Sequence, residues 1–334
     1  MKTINLFRTG LLTACVAMVF ACNKSSMNNA GNGTTSSDDM QVQADDQAQI
    51  SSEDEAITND VNTALYNQVS TAGTGGATVE TGTTTVMGTE VNGLTGPIHG
   101  LICDATVVVN DTSNPKTITI TYDGTNCRGN RTRVGVIVIS MPAGEHWSDA
   151  GATVTISIQN LKITRIRDNK SITLNGTKTI TNVTGGLLTH LSSLGTITHT
   201  INGSLSITFD SGKQRSWSVS KQRVFTYDNG IVITTTGTHT DSLGNSNVAE
   251  WGTNRSGVQF ESLISAPKVI RQDCDFRLTS GQNTIVRSDN FTSVITYGLD
   301  ANGDPTSCPG TGTYYFKVVV TTPGGLVYTK ILPY

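Results

Sequence analysis

The densest set of side chains able to do acid–base chemistry is Glu145-His146-Trp147-Ser148-Asp149, placed between Pro142 and Gly151. A Glu and an Asp can flank a glycosidic bond, and a His can take a proton as general base. The same stretch also reads as a loop whose Trp seals the edge of a core. Nothing else strengthens the catalytic reading. The five histidines (His99, His146, His190, His199, His239) are scattered, with no His-x-x-x-His pair and no HExxH. There is no Gly-x-Ser-x-Gly elbow, no P-loop and no GxGxxG following a strand. Asp300-Ala301-Asn302-Gly303-Asp304 opens like a calcium loop, but its glycine stands fourth and its twelfth place is Thr311, so a hairpin turn is expected. No enzymatic activity, cofactor or metal site is expected.

Binding chemistry has better candidates. Trp147, Trp217 and Trp251 can stack on sugar rings, although burial is the default for an aromatic on an alternating strand. Between 213 and 227, Lys213, Arg215, Lys221 and Arg223 share the parity of Trp217 and Phe225. Two arrangements fit. Either a bulge or an edge separates cations from rings, or cations and rings share one face, allowing cation–π contacts among them and recognition of an anionic sugar or lipid. Trp147, Trp217, Arg215, Lys221 and Arg223 are therefore the candidate ligand-binding residues, with a glycan or another envelope component as the partner.

Those residues sit in a chain of 334 with 15% charged residues, against about 25% in typical soluble domains. From about 78 onward, Thr-rich runs alternate with turn signals such as Asp123-Gly124, Asp228-Asn229-Gly230 and Asn302-Gly303. The fold class expected is all-β: an antiparallel Thr-rich sheet over 78–334, sandwich-like or a long curved sheet, with a candidate division near 190–200. Val154, Ile156 and Ile158 change parity before Leu161 and Ile163, which places a β-bulge near Gln159-Asn160. Val134, Val136 and Val138 oppose Ile137 and Ile139, so that strand is expected to be covered on both faces. Cys103, Cys127, Cys274 and Cys308 allow three pairings; the local one, Cys103–Cys127 with Cys274–Cys308, brackets two hairpins and is preferred over zinc, whose sites favour shorter spacing.

Ahead of the sheet, Ser52-Glu53-Asp54-Glu55 has the spacing of a capping box, and Ile57, Val61, Ala64, Leu65 and Val69 follow at helical spacing. One short amphipathic helix is expected over 51–72. Charge is strongly divided here. No Lys or Arg occurs between Lys24 and Lys116, a stretch with twelve acids, whereas from Lys116 onward there are twenty Lys/Arg against fourteen Asp/Glu. The acidic stretch either stays solvated, or docks on the basic body, or leaves that body to face anionic glycan or lipid phosphate. The surplus is too modest for a nucleic-acid binder.

The first residues carry a basic head (Lys2, Arg8), a short apolar core and Val19-Phe20-Ala21-Cys22. This run resembles the lipobox of bacterial lipoproteins. The resemblance implies removal of 1–21 as a signal peptide and acylation of Cys22, an anchor joined by the acidic tether 22–50 to the body. Together with Thr117–Cys127, Asn130–Gly135, Gly176–Asn182, Gly252–Gly257 and Cys274–Gly281, it resembles a set of Bacteroidota lipoproteins. That likeness implies an outer-membrane, lipid-anchored β-protein and brings no catalytic residues. A non-enzymatic structural or binding role in the envelope is the function expected, with a glycan-binding lipoprotein or a glycoside hydrolase as alternatives.

Overall fold

The computed structural model describes residues 37–66, 102–127, 129–274, 276–308 and 312–334. The leader, Cys22 and most of the tether lie outside them, as do 67–101. One long helix, α1 (Ser37–Tyr66), precedes the strands. It starts well before 51, so the second half of the expected tether is helix. The reason is local and tertiary at once. No Gly or Pro interrupts the chain between Gly33 and Gly73, and Gln43, Ala44, Gln47 and Ala48 are good helix formers. The expected stripe of Ile57, Val61, Ala64 and Leu65 packs into the core. The polar sides of the helix are covered as well, since from 42 to 66 only Ser52 is exposed, and those sides need polar partners.

The partners come from one antiparallel sheet of fourteen strands. They are β1 (Ala105–Asn110), β2 (Lys116–Thr125), β3 (Arg131–Met141), β4 (Ala152–Arg165), β5 (Ser171–Asn182), β6 (Thr196–Phe209) and β7 (Gln214–Tyr227). There follow β8 (Ile231–Gly237), β9 (Val248–Thr253), β10 (Gln259–Arg271), β11 (Arg277–Arg287), β12 (Thr292–Leu299), β13 (Tyr315–Thr321) and β14 (Val327–Pro333). Consecutive strands pair in order with one exception. β8 and β9 lie end to end between β7 and β10: β8 pairs Lys221–Tyr227 and Lys268–Arg271, β9 pairs Trp217–Val219 and Gln259–Leu263. At that junction a Cβ on Gly237 would stand 2.1 Å from the Asn247 carbonyl oxygen, so only glycine lets the two segments meet. Pairing of β5 with β6 is continuous from Ile172–Phe209 to Asn182–His199, and no division falls near 190–200.

Alternation gives the sheet two different faces. The outer face is a lattice of hydroxyls, with Thr153 on Thr181 at 2.8 Å and Ser204 on Ser218 at 3.1 Å. The inner face carries Ile118, Ile137, Ile156, Ile180, Ile201 and their neighbours, and it encloses α1. Strands β3, β4, β5, β7, β9, β10 and β11 each contact that one helix through a polar side chain, β11 through Arg287 on Gln43, which requires the sheet to curl around it. Bulges supply the curvature. One is the expected bulge at Gln159-Asn160, where the register slips between Ile158 and Leu161 and Asn160 takes φ 49°. Gly135 faces it on β3, where a Cβ would lie 2.6 Å from the Asn160 carbonyl oxygen. β3 is covered on one face only, since Val134 is 57% exposed on the outer side. Both expected cystines form, Cys103–Cys127 around β1–β2 and Cys274–Cys308 around β11–β12.

Candidate functional site

Polar chemistry is concentrated where α1 meets the inner face, and it is arranged in three stations along the helix. At the first, Arg133 of β3 makes a two-pronged contact with Asp104 (2.7 and 2.6 Å) and a third with Asp60 of α1 (2.7 Å). Tyr122 donates to the same Asp60 oxygen at 2.9 Å and lies under the guanidinium at 4.3 Å. All four groups are buried. Burial opposes the charge on Arg133, but Asp60, Tyr122 and Asp104 outweigh it and hold the guanidinium protonated.

The second station is a lysine–carboxylate cluster. Asp54 of α1 is contacted by Lys178 of β5 and lies 3.4 Å from Lys221 of β7. Lys221 also meets Glu250 of β9 at 2.7 Å, and Arg223 meets Glu55 at 3.0 Å. Burial disfavours the Glu250 carboxylate, yet Lys221 and Lys268 outweigh it and bring its pKa down to about 2. Burial likewise opposes ionisation of Asp54, and Lys178 and Lys221 reverse the balance, so its pKa is lowered. The same cause acts differently on Lys268, whose Nζ donates to Ser51 at 2.9 Å: burial lowers its pKa despite Glu250. Nearby His199 is buried between Trp147 (5.1 Å) and Phe225 (4.7 Å), and burial, aided by Arg223, brings it down to about 3.

At the third station, near the start of α1, Asp45 pairs with Arg165 (2.8 Å) and Lys170 (3.3 Å), and Asp46 with Arg255 (2.5 Å). Arg215 donates to Gln47 at 2.9 Å; burial brings its pKa down to about 10, against the pull of Asp46 and Glu250. Here the wrap is incomplete. β1 and β14 each pair with a single neighbour among the described strands, and a cleft of about 340 Å³ opens beside the exposed Ser52. Ala48, Arg131, Arg165, Arg167, Phe316 and Tyr334 are among its lining.

These facts reassign the candidate ligand residues. β7 keeps its register with β6 throughout, so no bulge separates cations from rings. Arg215, Trp217, Lys221, Arg223 and Phe225 share the inner face, with Lys221 5.4 Å from the Trp217 ring and Arg223 5.5 Å from the Phe225 ring. The face is shared, but α1 occupies it. Trp147 and Trp217 are fully buried, and the Trp217 indole donates to Glu250 at 3.4 Å. Trp147 belongs to the loop between β3 and β4 and closes the core there, as its loop reading supposed. Trp251 is half-buried and stacks on His239 at 4.3 Å. Five buried residues that now matter, Arg133, Lys178, Glu250, Lys268 and Arg287, were not singled out from sequence. The signal is plainest in β5, where Lys178 interrupts the otherwise apolar parity of Leu174, Gly176 and Ile180.

Among the described residues no helix is long and apolar enough to cross a membrane. Asp300 accepts from the Asn302 and Asp304 amides at 2.8 and 3.0 Å, the geometry of a turn. No protein-family model, curated protein or solved structure matches the chain.

Proposed function

We propose that this chain is a non-enzymatic lipoprotein of the cell envelope, anchored in the outer membrane through Cys22, with a β-body that acts as a structural or binding scaffold. One observation carries the non-enzymatic part. The charged inner surface of the sheet, the place where a substrate or ligand would meet convergent polar groups, is filled by the protein's own acidic helix. The glycan-binding alternative loses Trp147, Trp217, Arg215, Lys221 and Arg223 together, because all five are buried. A hydrolase would need two carboxylates free to act across an open cleft, and Asp54 and Glu250 are instead tied to lysines.

The anchor follows from the lipobox-like Val19-Phe20-Ala21-Cys22 and its resemblance to Bacteroidota lipoproteins. Labelling with a radioactive fatty acid tests it. Label should enter the native chain and vanish in Cys22→Ala, with the protein moving from the membrane to the soluble fraction. A native chain that takes no label removes the anchor, and turnover of any glycan or peptide in a broad substrate screen removes the non-enzymatic reading.

A further inference from the structure

Inside the sheet an amine and a carboxyl group touch in a place that water does not reach. Lys178 of β5 and Asp54 of α1 have side chains 0% and 3% exposed, and Lys178 Nζ contacts Asp54 Oδ1. Lys178 Nζ also donates to Thr58 Oγ1 at 3.1 Å, one turn further along α1, while Thr58 donates to the Asp54 main-chain carbonyl at 2.8 Å. The amine is thus fixed against one carboxyl oxygen by a second contact. The other oxygen, Oδ2, lies 3.4 Å from Lys221 Nζ, and Glu250 holds that lysine at 2.7 Å. The sheet makes room for this arrangement. Gly203 pairs with Lys178 across β5–β6, and a Cβ there would lie 2.6 Å from Lys178 Cγ and 2.8 Å from the Thr177 carbonyl oxygen.

We propose that Lys178 and Asp54 condense into an intramolecular isopeptide bond that fastens α1 to the sheet. The step needs nothing from outside the protein. A proton passes from the Lys178 ammonium to the Asp54 carboxylate, and the free amine then attacks Cγ. The Nζ–Cγ bond forms, one Cγ–O bond breaks, a second proton moves from nitrogen to the departing oxygen, and water leaves. An ammonium and a carboxylate become one amide and one water, with charge conserved.

Three features favour the step. Groups held in contact react with effective concentrations of about 10⁵–10⁸ M, and a site closed to bulk water withholds the reactant that hydrolysis of the product would need. The product replaces two desolvated charges by a neutral amide, removing the cost of keeping ions in a dry interior. Lys221 donates toward Oδ2, where negative charge builds as the tetrahedral intermediate forms. The two lysines are not equivalent. Lys178 Nζ contacts Asp54 Oδ1, whereas Lys221 Nζ stands 3.4 Å from Oδ2 and is held by Glu250 at 2.7 Å, which makes Lys178 the nucleophile and Lys221 the donor.

The experiment is peptide mapping of the full chain, reduced, alkylated, digested with trypsin and a second protease, and read by tandem mass spectrometry. Trypsin should fail to cut after Lys178, and the peptide carrying Lys178 should be joined to the one carrying Asp54, lighter than their sum by one water. Recovery of a cleavable Lys178 and a separate Asp54 peptide overturns the proposal, and so does a link made through Lys221. Lys178→Arg keeps the positive charge without the primary amine. It should restore the missing water while both cystines still form; a mass deficit that persists in this variant refutes the assignment. The native map decides the matter even if the variant fails to fold.

Discussion

Arg133 and Arg215 are buried guanidinium groups on the same inner face, one near each end of α1, and they meet opposite fates. Arg133 faces two carboxylates, Asp104 and Asp60, and its charge is stabilised beyond that of free arginine. Arg215 is given the neutral carbonyl of Gln47 and the Phe260 ring at 4.5 Å, and burial brings its pKa down to about 10. Burial is common to both. What differs is whether an acid was brought in with the base, and at the Arg133 end both the helix and the segment before β1 supply one.

The sharpest way to break this contrast is Arg133→Met. It leaves Asp60 and Asp104 buried without their cation, and removing one partner of a buried pair costs about 3–5 kcal/mol. A matching fall in the denaturant midpoint, with the slope unchanged, is expected. A loss under about 1 kcal/mol would show that the two carboxylates reach water, and the distinction between the ends would vanish. The Cys103–Cys127 bridge supports the same end, because it ties down the residue next to Asp104. Replacing both cysteines by Ser should cost about 3 kcal/mol, the entropy of a loop of this length. The effect should overlap with that of Arg133→Met, so that the triple variant loses less than the sum. Full additivity would mean that the bridge and the ion cluster act independently.

How much of this was open to sequence reading differs between the sheet and its contents. Period-two alternation placed the strands, and the parity change at Gln159-Asn160 placed a bulge, because both are consequences of local backbone geometry. The cystines followed from bracketing hairpins. The helix was half legible. Its early turns, Gln41-Val42-Gln43-Ala44-Asp45-Asp46, have no apolar stripe, and a stripe is the signal that marks a helix packed on a body. Those turns bury charge on charge, a pattern with no periodic signature in either partner alone. The charge division between the first third of the chain and the rest held that information only in bulk: docking of the acidic stretch on the basic body was one of three open readings, and the residue pairs depend on how tightly the sheet curls. The parity of Lys221 and Trp217 left two arrangements open, and the unbroken register of β7 rules out the bulge; the occupant of the shared face lies some 170 residues upstream, beyond any local pattern.

A smaller effect concerns His199, which lies between the two ends and, among the described residues, has no acid beside it to hold a proton. Its folded pKa of about 3 is below the value of 6.5 for a free imidazole. As pH falls below 6.5 the unfolded chain takes up a proton that the folded chain refuses until about pH 3, so stability declines on acidification across that window. The slope for one such group is about 1.4 kcal/mol per pH unit. His199→Leu should flatten the profile between pH 6.5 and 4.5, above the range in which Glu250, whose pKa is about 2 against 4.5 when free, begins to lose its stabilising charge. An unchanged slope in that interval would mean that the folded state does accept the proton, and that the apolar cage of Trp147 and Phe225 is wetter than its geometry implies.

The smallest effect is expected at Arg215, and it tests the other half of the comparison. Arg215→Met removes the hydrogen bond to Gln47 and leaves that carbonyl without its donor, a loss of about 1–3 kcal/mol. It also removes a guanidinium held in a dry site without a carboxylate in contact among the described residues, and relief of that desolvation is of the same order. Asp46 keeps Arg255, and Glu250 keeps Lys221, so no acid is orphaned. The two terms offset, and the denaturant midpoint should move by no more than about 1 kcal/mol in either direction. A loss as large as that of Arg133→Met would show that Arg215 is held by Asp46 and Glu250 through space as firmly as Arg133 is held by contact. The inner face would then act as one continuous field of charge, and stability would track the total balance between helix and sheet instead of the individual pairs.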